Sequence, residues 1–258
     1  MNRHGQKWSE EETILAYYLY CQIPFSKSGK NNERIIELAN LLGRTPDSVA
    51  LKMFNLAHHD IEQQKRNVVA MAHGSKLDAI VTERFANDWD SLAFIAKSIE
   101  ATIKNVSIDK LVHEIEIDIP EGKDMQQIIK QRVNQAFFRK SVLTAYEEKC
   151  CITGIAVPQL LIASHIKPWS VSDIKTERIN PRNGLCLNAL HDKAFDKGLI
   201  TVLPDMSIQV SSVLKKECNN SSQINWLIQC DGMKINMPRR FAPAKEFLEY
   251  HNDVVYIP

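Results

Sequence analysis

Between residues 161 and 198 two apolar runs flank a long polar loop and then give way to helical spacing, and this order constrains the fold more than any other stretch of the chain. CCITGIAVPQLLIASHIKPW carries a short strand ending at His165. A polar loop leads to Pro181-Arg182-Asn183-Gly184, LCLNAL follows as a second strand, and HDKAFDKG reads as a helix stopped by Gly198. The predicted order is strand, long loop, strand, helix. It puts a His at the end of the first strand, an Asn before the second and a His at the start of the helix. Beyond Gly198, LITVLPDMSIQVS predicts a hairpin turning at Pro204-Asp205.

One His on an apolar strand is ordinarily a packed or surface residue, but here three separated motifs agree in order and spacing. Ile162-x-x-His165-Ile166-x-Pro168-Trp169, Asn183-Gly184-Leu185-x-Leu187 and His191-Asp192-x-x-Phe195-Asp196-x-Gly198 together resemble the HNH endonuclease superfamily, in its zinc-finger-free, bacterial restriction-type group. The likeness covers residues 131–212, beginning with QRVNQAFFRKSVLTAYEEKCCITG. It implies a ββα-metal unit that hydrolyses DNA phosphodiesters, with His165, Asn183 and His191 as the catalytic set. His165 would activate water, a task suited to a group that titrates near neutral pH. Asn183 would position the loop or contribute to the metal site, and His191 would bind the metal. The implied cofactor is a divalent ion, magnesium or manganese, stabilising charge on the phosphorus and the leaving oxygen.

Many relatives carry an acidic ligand immediately before the first His, where this chain has Ser164. Asp192 or Asp196 can supply the missing carboxylate beside His191 and Asn183; Asp196 can equally cap the helix end or brace the loop. Lys167, Arg178 and Arg182, in the loop, are the phosphate-contact candidates, with a solvated loop face as the alternative. Trp169 either stacks on nucleic acid or packs beneath the loop. Cys150 and Cys186 lie near ligand positions of zinc-containing relatives. Without a Cys-x-x-Cys anywhere, packing is expected of them and structural zinc is not.

The N-terminal region predicts three short helices. SEEETILAYYLYCQ opens with a capping Ser and three Glu, NERIIELANLL has an apolar stripe closed by Gly43, and Thr45-Pro46-Asp47 starts the third. Trp8-Ser9-Glu10-Glu11-Glu12 and LLGRTPDSVALKMFNL resemble Myb/SANT-like helix-turn-helix domains over residues 5–58. The resemblance implies DNA contacts from Arg44, Ser48, Lys52 and Asn55 on or near the third helix. Residues 1–60 carry seven basic and seven acidic residues, however, so no basic excess marks this segment, and protein binding is the alternative.

Residues 60–120 read as a polar connector, one or two amphipathic helices containing Trp89 and Phe94 as core, and an edge strand through Ile115, Ile117 and Ile119. Residues 124–149 predict a helix whose Lys130, Arg132, Arg139 and Lys140 could lie along phosphates, Arg139 being the nucleic-acid candidate. The tail predicts a short strand pair and a final helix, with Arg239-Arg240 joining the basic surface and Phe241, Phe247, Leu248 and Tyr250 sealing the core. No partner for His251 is legible.

The expected fold class is α+β: a helical domain over 1–60, a helical connector over 61–120 and the nuclease domain over 121–258. A formal charge of +1 argues against a protein that coats nucleic acid through bulk charge, but residues 121–200 hold 12 Lys/Arg against 8 Asp/Glu, where 61–120 hold 7 against 10. No apolar run suits a membrane span and no signal core is legible, so a cytoplasmic location without a membrane partner is expected. Six scattered Cys are expected to be reduced. DNA is the expected partner, and one active site per chain makes a homodimer a route to double-strand cleavage. The alternative is a non-catalytic protein that binds DNA through the helix-turn-helix and retains an inactive HNH scaffold.

Overall fold

The computed structural model describes residues 5–65, 75–113, 125–219 and 225–258. The expected strand at Ile115–Ile119 lies outside these residues. The chain divides into two units, Met1–Ser141 with Ile174–Ile179, and Val142–Asp173 with Asn180–Pro258.

The first unit is helical: α1 (Glu10–Cys21), α2 (Glu33–Leu42), α3 (Pro46–Ala57), α4 (Ile61–Lys65), α5 (Lys76–Arg84), α6 (Trp89–Lys104), α7 (Ile108–His113) and most of α8 (Met125–Ala145). The caps are those written in the sequence. Ser9 and Glu12 form a reciprocal capping box on α1, Gly43 ends α2 in the left-handed conformation, and Thr45 caps α3 with Pro46 at its first position. From Glu12 to Cys21 every residue of α1 is buried, since α2, α3, α5 and α6 surround it. α5 and α6 pack directly on α1. Trp89, 4% exposed, stacks on Tyr17 and Phe137, so α6 and α8 complete the core that α1 begins.

Arg44 and Lys52, two of the residues expected to contact DNA, both lie buried. Arg44 is buried, grips Glu12 through two nitrogens at 3.0 and 2.7 Å, donates to the carbonyls of Gln6 and Lys7, and stacks on Trp8. Lys52 is buried against Asp78 and faces the same indole. Both cations are paired within the fold. On α8 likewise, Arg132 is buried and Lys130 pairs with Asp90 at 2.5 Å, while Arg139 is exposed.

The second unit contains the predicted strand–loop–strand–helix. β1 (Leu161–His165) and β2 (Gly184–Asn188) pair antiparallel, with His165 opposite Gly184 and Ser164 opposite Leu185. α9 (Ala189–Asp196) leaves β2 directly because the Asn188 side chain caps it, and it packs on both strands. β3 (Ile200–Val202) and β4 (Ile208–Val210) form the expected hairpin, with Met206 at φ 68° in its turn. Three further helices follow: α10 (Ser212–Asn219), α11 (Asn225–Ile228) and α12 (Lys245–Tyr250). In place of the expected tail strand pair, the described residues make one bridge, Ser207 to Lys234. Phe241, Phe247 and Leu248 seal the core as expected, but Arg240 is fully buried and does not join a basic surface. After α12 the backbone widens into a π turn, His251–Val255.

Candidate active site

The end of β1, the first turn of the loop after it and one face of α9 enclose a groove of about 570 Å3. Ser164, His165, Trp169, Asp192, Lys193, Asp196 and Lys197 line it, with His251 and Val255 at the far wall. His165 is half-buried because it ends β1 where the strand gives way to the loop, and its ring meets Trp169 edge-to-face at 5.5 Å.

Asn183 stands behind this corner and is fully buried. Its Oδ1 accepts from the Lys167 amide at 2.8 Å, and its Nδ2 donates to the Lys167 carbonyl at 3.2 Å and the Ser172 hydroxyl at 3.4 Å. The Asn183 carbonyl also accepts from the Ile166 amide. Its carboxamide thus bonds the backbone two residues beyond His165.

Asp192 and Asp196 lie one turn apart on the groove face of α9. Burial raises the Asp192 carboxyl above its usual range, the Ser164 hydroxyl opposes this, and the neighbouring Asp196 charge adds to it. Burial raises Asp196 too, against the pull of Lys193 and Lys197. Two carboxylates beside a His are the donor type that a hard divalent ion takes. Such an ion takes one or two carboxylates and completes its shell with water and substrate phosphate. Among the described residues no group of three or more His, Cys, Asp or Glu side chains is placed to hold a metal ion together.

His191 does not line the groove. Its ring is fully buried, Nδ1 lies 2.8 Å from the Asn188 amide nitrogen, and its face meets Trp226 edge-on at 5.4 Å. Asn188 Oδ1 accepts from the Leu190 and His191 amides, so its Nδ2 must be the donor to His191. His191 is then neutral with its proton on Nε2, in keeping with a pKa lowered by burial. The structure therefore lines one groove with His165, Asp192 and Asp196, buries Asn183 behind the His165 corner and leaves His191 outside the lining.

Of the expected phosphate contacts, Lys167 extends over the Tyr250 ring at 5.3 Å, and Arg178 and Arg182 are half-buried. The cations that line the groove are Lys193 and Lys197, whose i, i+4 relation to each other and one-residue offset from the two Asp were present in HDKAFDK but passed over. His251, for which sequence offered no partner, accepts from Thr201 at 2.8 Å, donates to the Phe195 carbonyl at 3.2 Å and stacks on the Phe195 ring. Cys21, Cys150, Cys151, Cys186 and Cys230 are buried free thiols; burial pushes Cys230 up to about 11 and Cys151 well above its ordinary value.

Residues 150–203 match the family model HNH_2, described as HNH endonuclease, so the second unit contains an HNH domain. No curated protein matches the chain. Among the described residues no helix is long and apolar enough to cross a membrane.

Proposed function

We propose that the chain is a divalent-metal-dependent DNA endonuclease of restriction or defence type, acting on DNA in the cytoplasm. The observation that carries this reading is the convergence of His165, Asp192 and Asp196 on one groove inside the HNH match. His165 takes a proton from the attacking water as oxygen adds to phosphorus and the P–O bond to the leaving oxygen breaks. Asn183, by holding Lys167, fixes the chain direction on leaving His165 and so the aim of its ring. Lys193 and Lys197 draw the phosphodiester toward the groove. Asp192, with Asp196, would hold the metal, which when bound supplies positive charge to the phosphate and the leaving oxygen. One groove attacks one strand, so double-strand cleavage calls for two copies of the chain or two successive nicks. Buried free thiols suit a reducing compartment.

The test is incubation of supercoiled plasmid, methylated and unmethylated, with the full chain in magnesium or manganese. Nicked or linear product is expected from wild type, with a loss of about 100-fold or more for His165→Ala at undiminished DNA affinity. Bound but uncut DNA in every metal and methylation state would sink the enzyme reading and leave the non-catalytic binding protein.

A further inference from the structure

Asn188 does more than cap α9. With its Oδ1 committed to the Leu190 and His191 amides, its Nδ2 faces away from the helix. There it lies 2.8 Å from His191 Nδ1, 3.3 Å from Thr153 Oγ1 and 3.6 Å from Cys150 Sγ. Residues 150 and 153 sit on one tight turn, closed by the Gly154 amide on the Cys150 carbonyl; residues 188 and 191 sit on another. Two turns thus each offer a pair of side chains with two residues between them, and the Asn188 Nδ2 reaches the other three. Cross-links of this layout are ordinarily made by tetrahedral zinc, with thiolate and imidazole ligands in C-x-x-C or C-x-x-H spacing.

Here two of the four positions already hold zinc-type ligands, Cys150 and His191, and the other two, Thr153 and Asn188, do not. The donors as they stand do not fit zinc. Thr153 is a poor ligand, and Asn188 directs N–H groups, not lone pairs, at the other three. We propose that the Asn188 amide nitrogen is a hydrogen-bonded joint occupying the place of a structural zinc ion, and that this cluster is a latent zinc site two substitutions from metal binding. His191 then belongs to this joint, which explains its burial and its fixed tautomer, and the joint is independent of the groove and its hard cation.

Two properties follow that an ordinary helix cap lacks. At an N-cap Asp and Asn are equivalent, whereas a joint that needs the Nδ2 donors must distinguish them. In the full chain at pH 8, Asn188→Asp is expected to lower Tm by about 5 °C or more, and Asn188→Ala, which loses cap and joint together, by about 10 °C. An Asn188→Asp variant as stable as wild type overturns the proposal. Second, T153C combined with N188C should bind one equivalent of cobalt(II), with the visible bands of a tetrahedral thiolate site that zinc bleaches. Its Tm should rise by about 10 °C or more on zinc loading. Wild type should show neither the bands nor a Tm that responds to a chelator. A folded double variant without the bands, or wild type that gives them, overturns it as well. Neither readout involves DNA cleavage, so failure here leaves the nuclease reading standing, and the reverse.

Discussion

His191 and Asp192 are consecutive in sequence and have different surroundings: the His191 ring is fully buried against Asn188, and Asp192 lines the groove with His165. Their variants should therefore fail differently. Asp192→Asn removes a charge that burial disfavours, so stability should hold within about 1 kcal/mol while cleavage drops about 100-fold or more. His191→Ala empties a buried site and strands the Asn188 donor, and should cost about 2–4 kcal/mol. Thermal melts paired with plasmid nicking separate the two. A stable, inactive His191→Ala would return the ligand role to His191.

Asn183 acts through Lys167. Removing the carboxamide in Asn183→Ala takes one acceptor from the Lys167 amide and one donor from its carbonyl, which still accepts from the Ser172 hydroxyl, at a cost of about 1–3 kcal/mol. Asn183→Asp keeps the acceptor for the amide and loses only the donors. Below the melting range of both variants, cleavage by the Asp variant should exceed that of the Ala variant; equal activities would argue against positioning through Lys167.

Buried His251 gives the second unit a pH dependence. Burial lowers its pKa to about 4, against about 6.5 in an unfolded chain. The unfolded state therefore binds the extra proton first as pH falls. The stabilisation is fully present above about pH 6.5, fades as pH drops toward 4, and amounts to roughly 3 kcal/mol in all. His251→Gln should flatten this part of the stability profile, as read by chemical denaturation at pH 7.5 and 5.0. An unchanged slope would count against the assignment.

Arg44 should matter for folding and not for DNA. Arg44→Met leaves Glu12 buried without its partner, a loss of about 3–5 kcal/mol. At a temperature where the variant stays folded, its DNA affinity and the salt dependence of that affinity should match wild type, since no phosphate contact is lost. A shallower salt slope would restore Arg44 to the DNA-facing set.

The strands and hairpin of the second unit and the caps of the first were legible because apolar runs end at Gly or Pro and each of those caps is written beside its helix. The facing of α9 was not. Eight residues with His, Asp and Lys on successive positions fit several rotations of the helix, and the rotation is set by how Asn188 leaves β2. The same limit explains Arg44 and Lys52, whose partners Glu12 and Asp78 lie 32 and 26 residues away, and His251, whose Thr201 lies 50 away. Charge alone marked these residues as surface, and only the fold supplies their partners.

Gly198, at φ +67°, ends α9 with its Cα so close to the Val255 carbonyl that a Cβ would come within 2.1 Å of that oxygen, and its own carbonyl accepts from the Ile257 amide. The groove wall at His251 and Val255 is thus registered to α9 by main chain against main chain. Substitutions at the exposed Asp253, Val254 or Ile257 leave that registration alone, whereas inserting or deleting one residue between 251 and 257 moves the carbonyl off Gly198 and shifts the wall. Length, and not side-chain identity, is what this part of the sequence has to preserve.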